Sequence, residues 1–79
     1  MPTDFIVVLI TVPSSEVGER IAAALLEKKL AACVNILPGA TAIYTWQGAV
    51  QKDQELMLVV KTRLELFHER LVLAVKALH

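Results

Sequence analysis

Residues Phe5 to Val12 read Phe-Ile-Val-Val-Leu-Ile-Thr-Val, a β-rich run that is apolar at both alternating positions. A strand wetted on one face alternates apolar with polar residues, so this run predicts a strand covered on both sides at the centre of a sheet. Pro13 breaks the run, and Ser14 or Ser15 can accept a hydrogen bond from a free N–H at the start of a helix, with Glu16 favoured near its positive end. The spacing predicts a first helix from about Ser15 to Lys29. Its inner stripe is Val17, Ile21, Ala24, Leu25 and Lys28, and its wet side Glu16, Glu19, Arg20 and Glu27. Gly18 costs this helix about 1 kcal/mol relative to alanine.

Strand character returns at Ala31 to Leu37, is interrupted by Pro38-Gly39 as a bulge or kink, and resumes from Thr41 to Trp46, giving one long bent strand. Gln47-Gly48 then sits between two strand patterns, and glycine supplies the positive φ that a tight hairpin turn wants. The return strand is Ala49 to Thr62. Its middle, Gln51 to Glu55, is polar throughout and suits a protruding, solvated arm, whereas Leu56 to Val60 is core. Thr62-Arg63-Leu64-Glu65 has the capping-box pattern, so a second helix is expected to begin there and to run to His79, with Leu64, Phe67, Leu71, Ala74, Val75 and Leu78 as its core stripe.

The order is therefore β-α-β-β-α, a mixed α/β (α+β) chain. A right-handed β-α-β crossover followed by a hairpin strand returning beside the first gives a split-βαβ sheet, with the third strand between the first two and both helices on one face. A strand after the second helix would cover the outer edge of the first. The chain ends on the helix instead, so one strand is lacking and the first strand is left as a bare edge that invites another chain. An oligomer or a shortened chain is expected.

With 79 residues there is room for one domain, spanning residues 1–79, and one core. Its composition is 56% hydrophobic and 20% charged, which excludes disorder and is apolar enough for some of that surface to need a partner. The 8 basic and 8 acidic side chains cancel, leaving no net field to gather nucleic acid or anionic lipid. The apolar runs fall far short of the roughly 20 residues that cross a bilayer. Met1-Pro2-Thr3-Asp4 lacks a basic leader, and the lone Cys33 cannot form an internal disulfide, so the expected compartment is the cytoplasm.

Cys33 is either a ligand for copper or another soft metal or a small buried strand residue. His68 and His79 share a helical face but stand about 16 Å apart along the axis, too far to hold one metal together. His68 reads as a helix-surface residue; His79 either favours the helix dipole or faces a site. Tyr44 and Trp46 alternate onto one face of the hairpin strand, where they line a ligand cleft, a subunit interface, or a cleft between subunits. Lys61 at the strand end is an anion ligand or a solvated lysine. No nucleophile-base pairing, glycine-rich phosphate loop or carboxylate dyad with motif spacing is present, so nothing points to an enzyme.

The run Ala31-Ala32-Cys33-Val34-Asn35-Ile36, followed by Pro38-Gly39, Ile43-Tyr44, Trp46, Gly48, Val50 and Lys61-Thr62, resembles the divalent-cation-tolerance (CutA) family across the whole chain. The resemblance implies a ferredoxin-like fold assembled as a homotrimer, with long hairpins pairing across subunits. It also implies a role in tolerance of divalent metals, with copper or another divalent metal as ligand and no required cofactor. Carried over, Cys33 and His79 become metal-site candidates, and Tyr44, Trp46 and Lys61 positions around an intersubunit cleft. The family pattern continues past His79 with a Pro-Tyr segment, a final strand and a tail. Two other readings differ in class. A sensor resembling the trimeric PII signalling proteins would need a long nucleotide-dependent loop, against which the short Gln47-Gly48 turn argues. A purely structural trimer would need no ligand at all.

Overall fold

The computed structural model describes residues 5–66 and 70–78. The elements are β1 (Phe5–Val12), α1 (Ser15–Glu27), β2 (Cys33–Trp46), β3 (Ala49–Arg63), α2 (Leu64–Leu66) and α3 (Val72–Leu78). The strands form one antiparallel sheet in the order β1-β3-β2, so the hairpin strand does return between the first two. Phe67 of the expected core stripe, and both histidines, His68 and His79, lie outside the described residues.

Ser14 caps α1: it is extended, at φ −151°, and its hydroxyl accepts from the Val17 N–H at 3.2 Å. Gly18, Ile21 and Leu25 form the buried stripe. A Cβ on Gly18 would stand 3.2 Å from Leu58 Cδ2 and 3.3 Å from Val12 Cγ2, so the glycine trades helix propensity for close approach of α1 to the sheet.

The helix ends earlier than expected, and Lys28 is exposed rather than part of the stripe. Lys29 N–H donates to Leu26 O at 3.1 Å, and Leu30 N–H to Leu25 O at 2.8 Å. With Lys29 left-handed at φ 58°, this is a Schellman ending, closed by the buried pair Leu25 and Leu30. Glycine is the usual occupant of that position, and a lysine there bears a steric cost of roughly 1–2 kcal/mol.

The β1 expectation needs correction. Ile6, Val8, Ile10 and Val12 face the helices, while Phe5, Val7 and Leu9 on the other face are 65%, 58% and 60% exposed. β1 stands at the sheet edge, and among the described residues only one of its faces is covered. A doubly apolar strand reports that both faces want cover, but not that its own chain supplies it.

The capping box also fails to form. Thr62 belongs to β3 and is buried; its hydroxyl donates to the Leu30 carbonyl, and Glu65 pairs with Arg63 at 3.5 Å instead. Of the second helix the described residues show the turn α2 and, beyond residues 67–69, a π-helical step at Arg70 and Leu71 that leads into α3. Leu64 is exposed, whereas Leu71 and Ala74 reach the core and Val75 and Leu78 pack against it. The core is completed by Val12, Ile21, Leu25, Leu30, Leu58 and Val60, between the inner sheet face and the helices.

β2 and β3 run on past this body as a two-stranded arm, which gives the molecule its 45 Å long axis against 27 and 21 Å. The turn at its tip has both Gln47 (φ 50°) and Gly48 (φ 78°) left-handed, the geometry of a type I′ hairpin.

Candidate functional site

Opposed residues in an antiparallel sheet share a face, so the register shows what stands together. On the helix-free face Val7, Lys61 and Cys33 form one row across the three strands, and Leu9, Val59 and Asn35 the next. Cys33 and Lys61, both singled out from the sequence, are thus direct cross-strand neighbours. The Cys33 thiol is half-buried and lies 3.7 Å from Asn35 Oδ1, to which it donates a weak hydrogen bond. Ala32 N–H donates to the Lys61 carbonyl at 2.9 Å and pins the start of β2. Among the described residues no group of three or more His, Cys, Asp or Glu side chains is placed to hold a metal. Cys33 is therefore not part of such a group there, and His79 lies outside the described residues.

Tyr44 and Trp46 sit near the arm tip, opposite Gln51 and Ala49. Their face is decided by the irregularity at Pro38-Gly39. Leu37 pairs with Met57 and Ala40 with Glu55, so β2 advances by one more residue than β3. That extra residue reverses the alternation. Without it Tyr44 and Trp46 would fall on the opposite face from Cys33; with it they share the helix-free side with Cys33, Lys61 and the exposed row of β1. Pro38-Gly39 was legible as a bulge, and counting its extra residue was the signal that assigns the face.

The two halves of the candidate site nevertheless do not meet. At about 3.3 Å per residue, Cys33 and Tyr44 lie on the order of 35 Å apart along β2. The arm carries a partner that sequence reasoning missed: the Tyr44 hydroxyl donates to the Asp53 carboxylate, diagonally across the hairpin. This hydrogen bond is the main reason that the Tyr44 phenol is held above its ordinary pKa of 10.0, with desolvation and the charges of Asp53 and Glu55 acting the same way. The opposite arm face is also apolar at Ile43 and Val50, which are 66% and 72% exposed.

A three-stranded antiparallel sheet with helices packed on one face, in the order β-α-β-β-α and with an apolar free face, defines a ferredoxin-like α+β protein. Residues 6–79 match the model of the family described as CutA1 divalent ion tolerance protein, and the chain belongs to that family. It is 63% identical over 73 residues to the divalent-cation tolerance protein CutA of Thermus thermophilus, covering 92% of this chain and 70% of that protein. The solved structure of the Thermus thermophilus protein superposes with a TM-score of 0.90 at 61% identity, over 95% of this chain and 72% of the other. The chloroplastic protein CutA 1 of Oryza sativa is 50% identical over 74 residues, covering 94% of this chain but 41% of its own length. CutA1 from Oryza sativa superposes with a TM-score of 0.92 at 48% identity, over 98% and 70% of the two chains. Among the described residues no helix is long and apolar enough to cross a membrane.

Proposed function

We propose that this chain is a non-enzymatic, homotrimeric protein of the cellular response to divalent metal ions, acting in the cytoplasm and binding copper or a similar divalent ion between subunits. In this reading Cys33 and His79 are the metal ligands, and Tyr44, Trp46 and Lys61 line the cleft around them. The observation that carries it is the shared face. The Cys33–Lys61 row and the Tyr44–Trp46 arm lie on one apolar, helix-free side, too far apart within one chain to form a site. The arm of another copy laid over that face would bring them together and cover Val7 and Leu9. A soft thiolate with an imidazole suits copper better than magnesium or calcium.

The test is a copper titration of the chain and of the Cys33→Ala and His79→Ala variants, followed by calorimetry. Loss of most of the affinity in either variant supports the ligand assignment, and unchanged affinity in both removes it. One observation favours a second reading, a structural trimer: among the described residues no group of three or more His, Cys, Asp or Glu side chains is placed to hold a metal. That reading expects the same trimer mass by light scattering with chelator as with copper, and no metal-dependent change in Tm.

A further inference from the structure

Where β1 begins and β3 ends, the sheet and the helix layer part around a cavity of about 270 Å³. Phe5, Leu26, Ala31 and Leu66 supply apolar walls, and Lys29 and Arg63 supply positive charge. This volume falls just under the roughly 300–1,000 Å³ of sites for drug-sized ligands, so an occupant is smaller than those. We infer that this cavity is a binding site for a small carboxylate with an apolar body, such as an aryl or short-chain monocarboxylate.

Independent features converge on that chemistry. The Arg63 guanidinium lies over the Phe5 ring, 5.6 Å from its centroid, which holds the fork at the cavity wall. Its one ion pair among the described residues is with Glu65, through a single nitrogen at 3.5 Å with both side chains more than half exposed. The remaining N–H donors are left for a second carboxylate, and Glu65 itself shows which anion the fork accepts here.

Lys29 occupies the left-handed cap position that a glycine would fill without strain, and it has no acidic partner among the described residues. Lys29 is among the residues that line the cavity. The Thr62 hydroxyl is committed to Leu30 O, so orientation falls to the two cations. A bare phosphate would leave the four apolar walls wet, and a neutral apolar molecule would leave the two cations unused. This site is separate from the Cys33 row and does not depend on the metal proposal.

The experiment is a titration of the 79-residue chain with benzoate, followed by calorimetry and by the methyl signals of Ala31 and Leu66, with acetate and benzyl alcohol as partial probes. Saturable benzoate binding that shifts those methyls, with acetate and benzyl alcohol each at least about tenfold weaker, is expected. Arg63→Gln is expected to weaken benzoate by about tenfold or more. Glu65→Gln removes the competing internal carboxylate and is expected to tighten it about twofold to fivefold. Lys29→Gly separates site from fold: it should raise Tm by relieving the cap while weakening benzoate. Absence of saturable binding overturns the inference, as does benzoate affinity unmoved by Arg63→Gln or reduced by Glu65→Gln.

Discussion

The same two strands, β2 and β3, live in two different environments. In the body, residues 56–63 pair with β1 on one side and residues 33–37 on the other, the helices back them, and Leu58 and Val60 are fully buried. In the arm, residues 40–55 pair only with each other, and Ile43, Trp46 and Val50 are exposed. An isolated two-stranded hairpin is marginal in water. An arm with apolar side chains on both faces is thus a surface waiting for cover, whereas the body holds itself together. The β2–β3 ladder runs through both regions, interrupted at the Pro38-Gly39 bulge between them, so the difference lies chiefly in side-chain burial.

The largest effect tests that division directly. Leu58→Ala opens a cavity beneath α1, where Leu58 Cδ2 lies against Gly18, and should cost about 2–5 kcal/mol in a urea unfolding measurement. Ile43→Ala on the arm should stay within about 0.5 kcal/mol when the chain is dilute enough to be monomeric. If Ile43→Ala costs as much as Leu58→Ala under those conditions, the arm is buried by its own chain and the distinction is wrong.

The next effect is on assembly. Under the proposed trimer the free sheet face and the arm are two sides of one contact, so Leu9→Asp and Trp46→Asp should each weaken association about a hundredfold or more. An unpaired carboxylate trapped at the contact costs a few kcal/mol or is expelled by dissociation. Light scattering checks the mass, and far-ultraviolet circular dichroism checks that the fold survives. If Trp46→Asp dissociates the assembly and Leu9→Asp does not, the arm is the contact and the sheet face is covered by something else.

Much of this architecture was legible in the residues, and the failures have identifiable causes. Pro13, Pro38-Gly39 and Gln47-Gly48 punctuate the chain where its elements change, so strand and helix order could be read locally. Thr62 could not: its hydroxyl is taken by the carbonyl of Leu30, 32 residues away, and no local pattern reveals that competitor to a capping box. Leu30 is itself placed by the left-handed Lys29, a conformation that lysine does not advertise. For the candidate site, Cys33, Lys61, Tyr44 and Trp46 could be named from residue type and from the family resemblance. Which of them meet depended on strand register and on one bulge residue. Asp53 was legible only as part of a polar stretch, because its bond to Tyr44 is diagonal across the hairpin.

The smallest effect concerns that bond and isolates the arm from everything else. Tyr44 is the chain's single tyrosine, so its ionisation can be followed by ultraviolet absorbance without assignment. Its phenol donates to Asp53, and the neutral form is favoured, so the midpoint should lie above 10.0 in the folded chain. A raised pKa stabilises the fold below the unfolded value, and that contribution is lost as pH rises through the folded midpoint. The hairpin should therefore loosen only in strong alkali. Asp53→Asn removes both the charged acceptor and its repulsion of a phenolate, so the midpoint should fall back toward the ordinary value while Leu58 and the body stay folded. A midpoint unchanged by Asp53→Asn would mean that the pair does not persist in solution and that the arm face is held by other contacts. A midpoint that moves with protein concentration would instead show the tyrosine covered by a second copy, extending to the arm tip the contact that Leu9→Asp and Trp46→Asp probe.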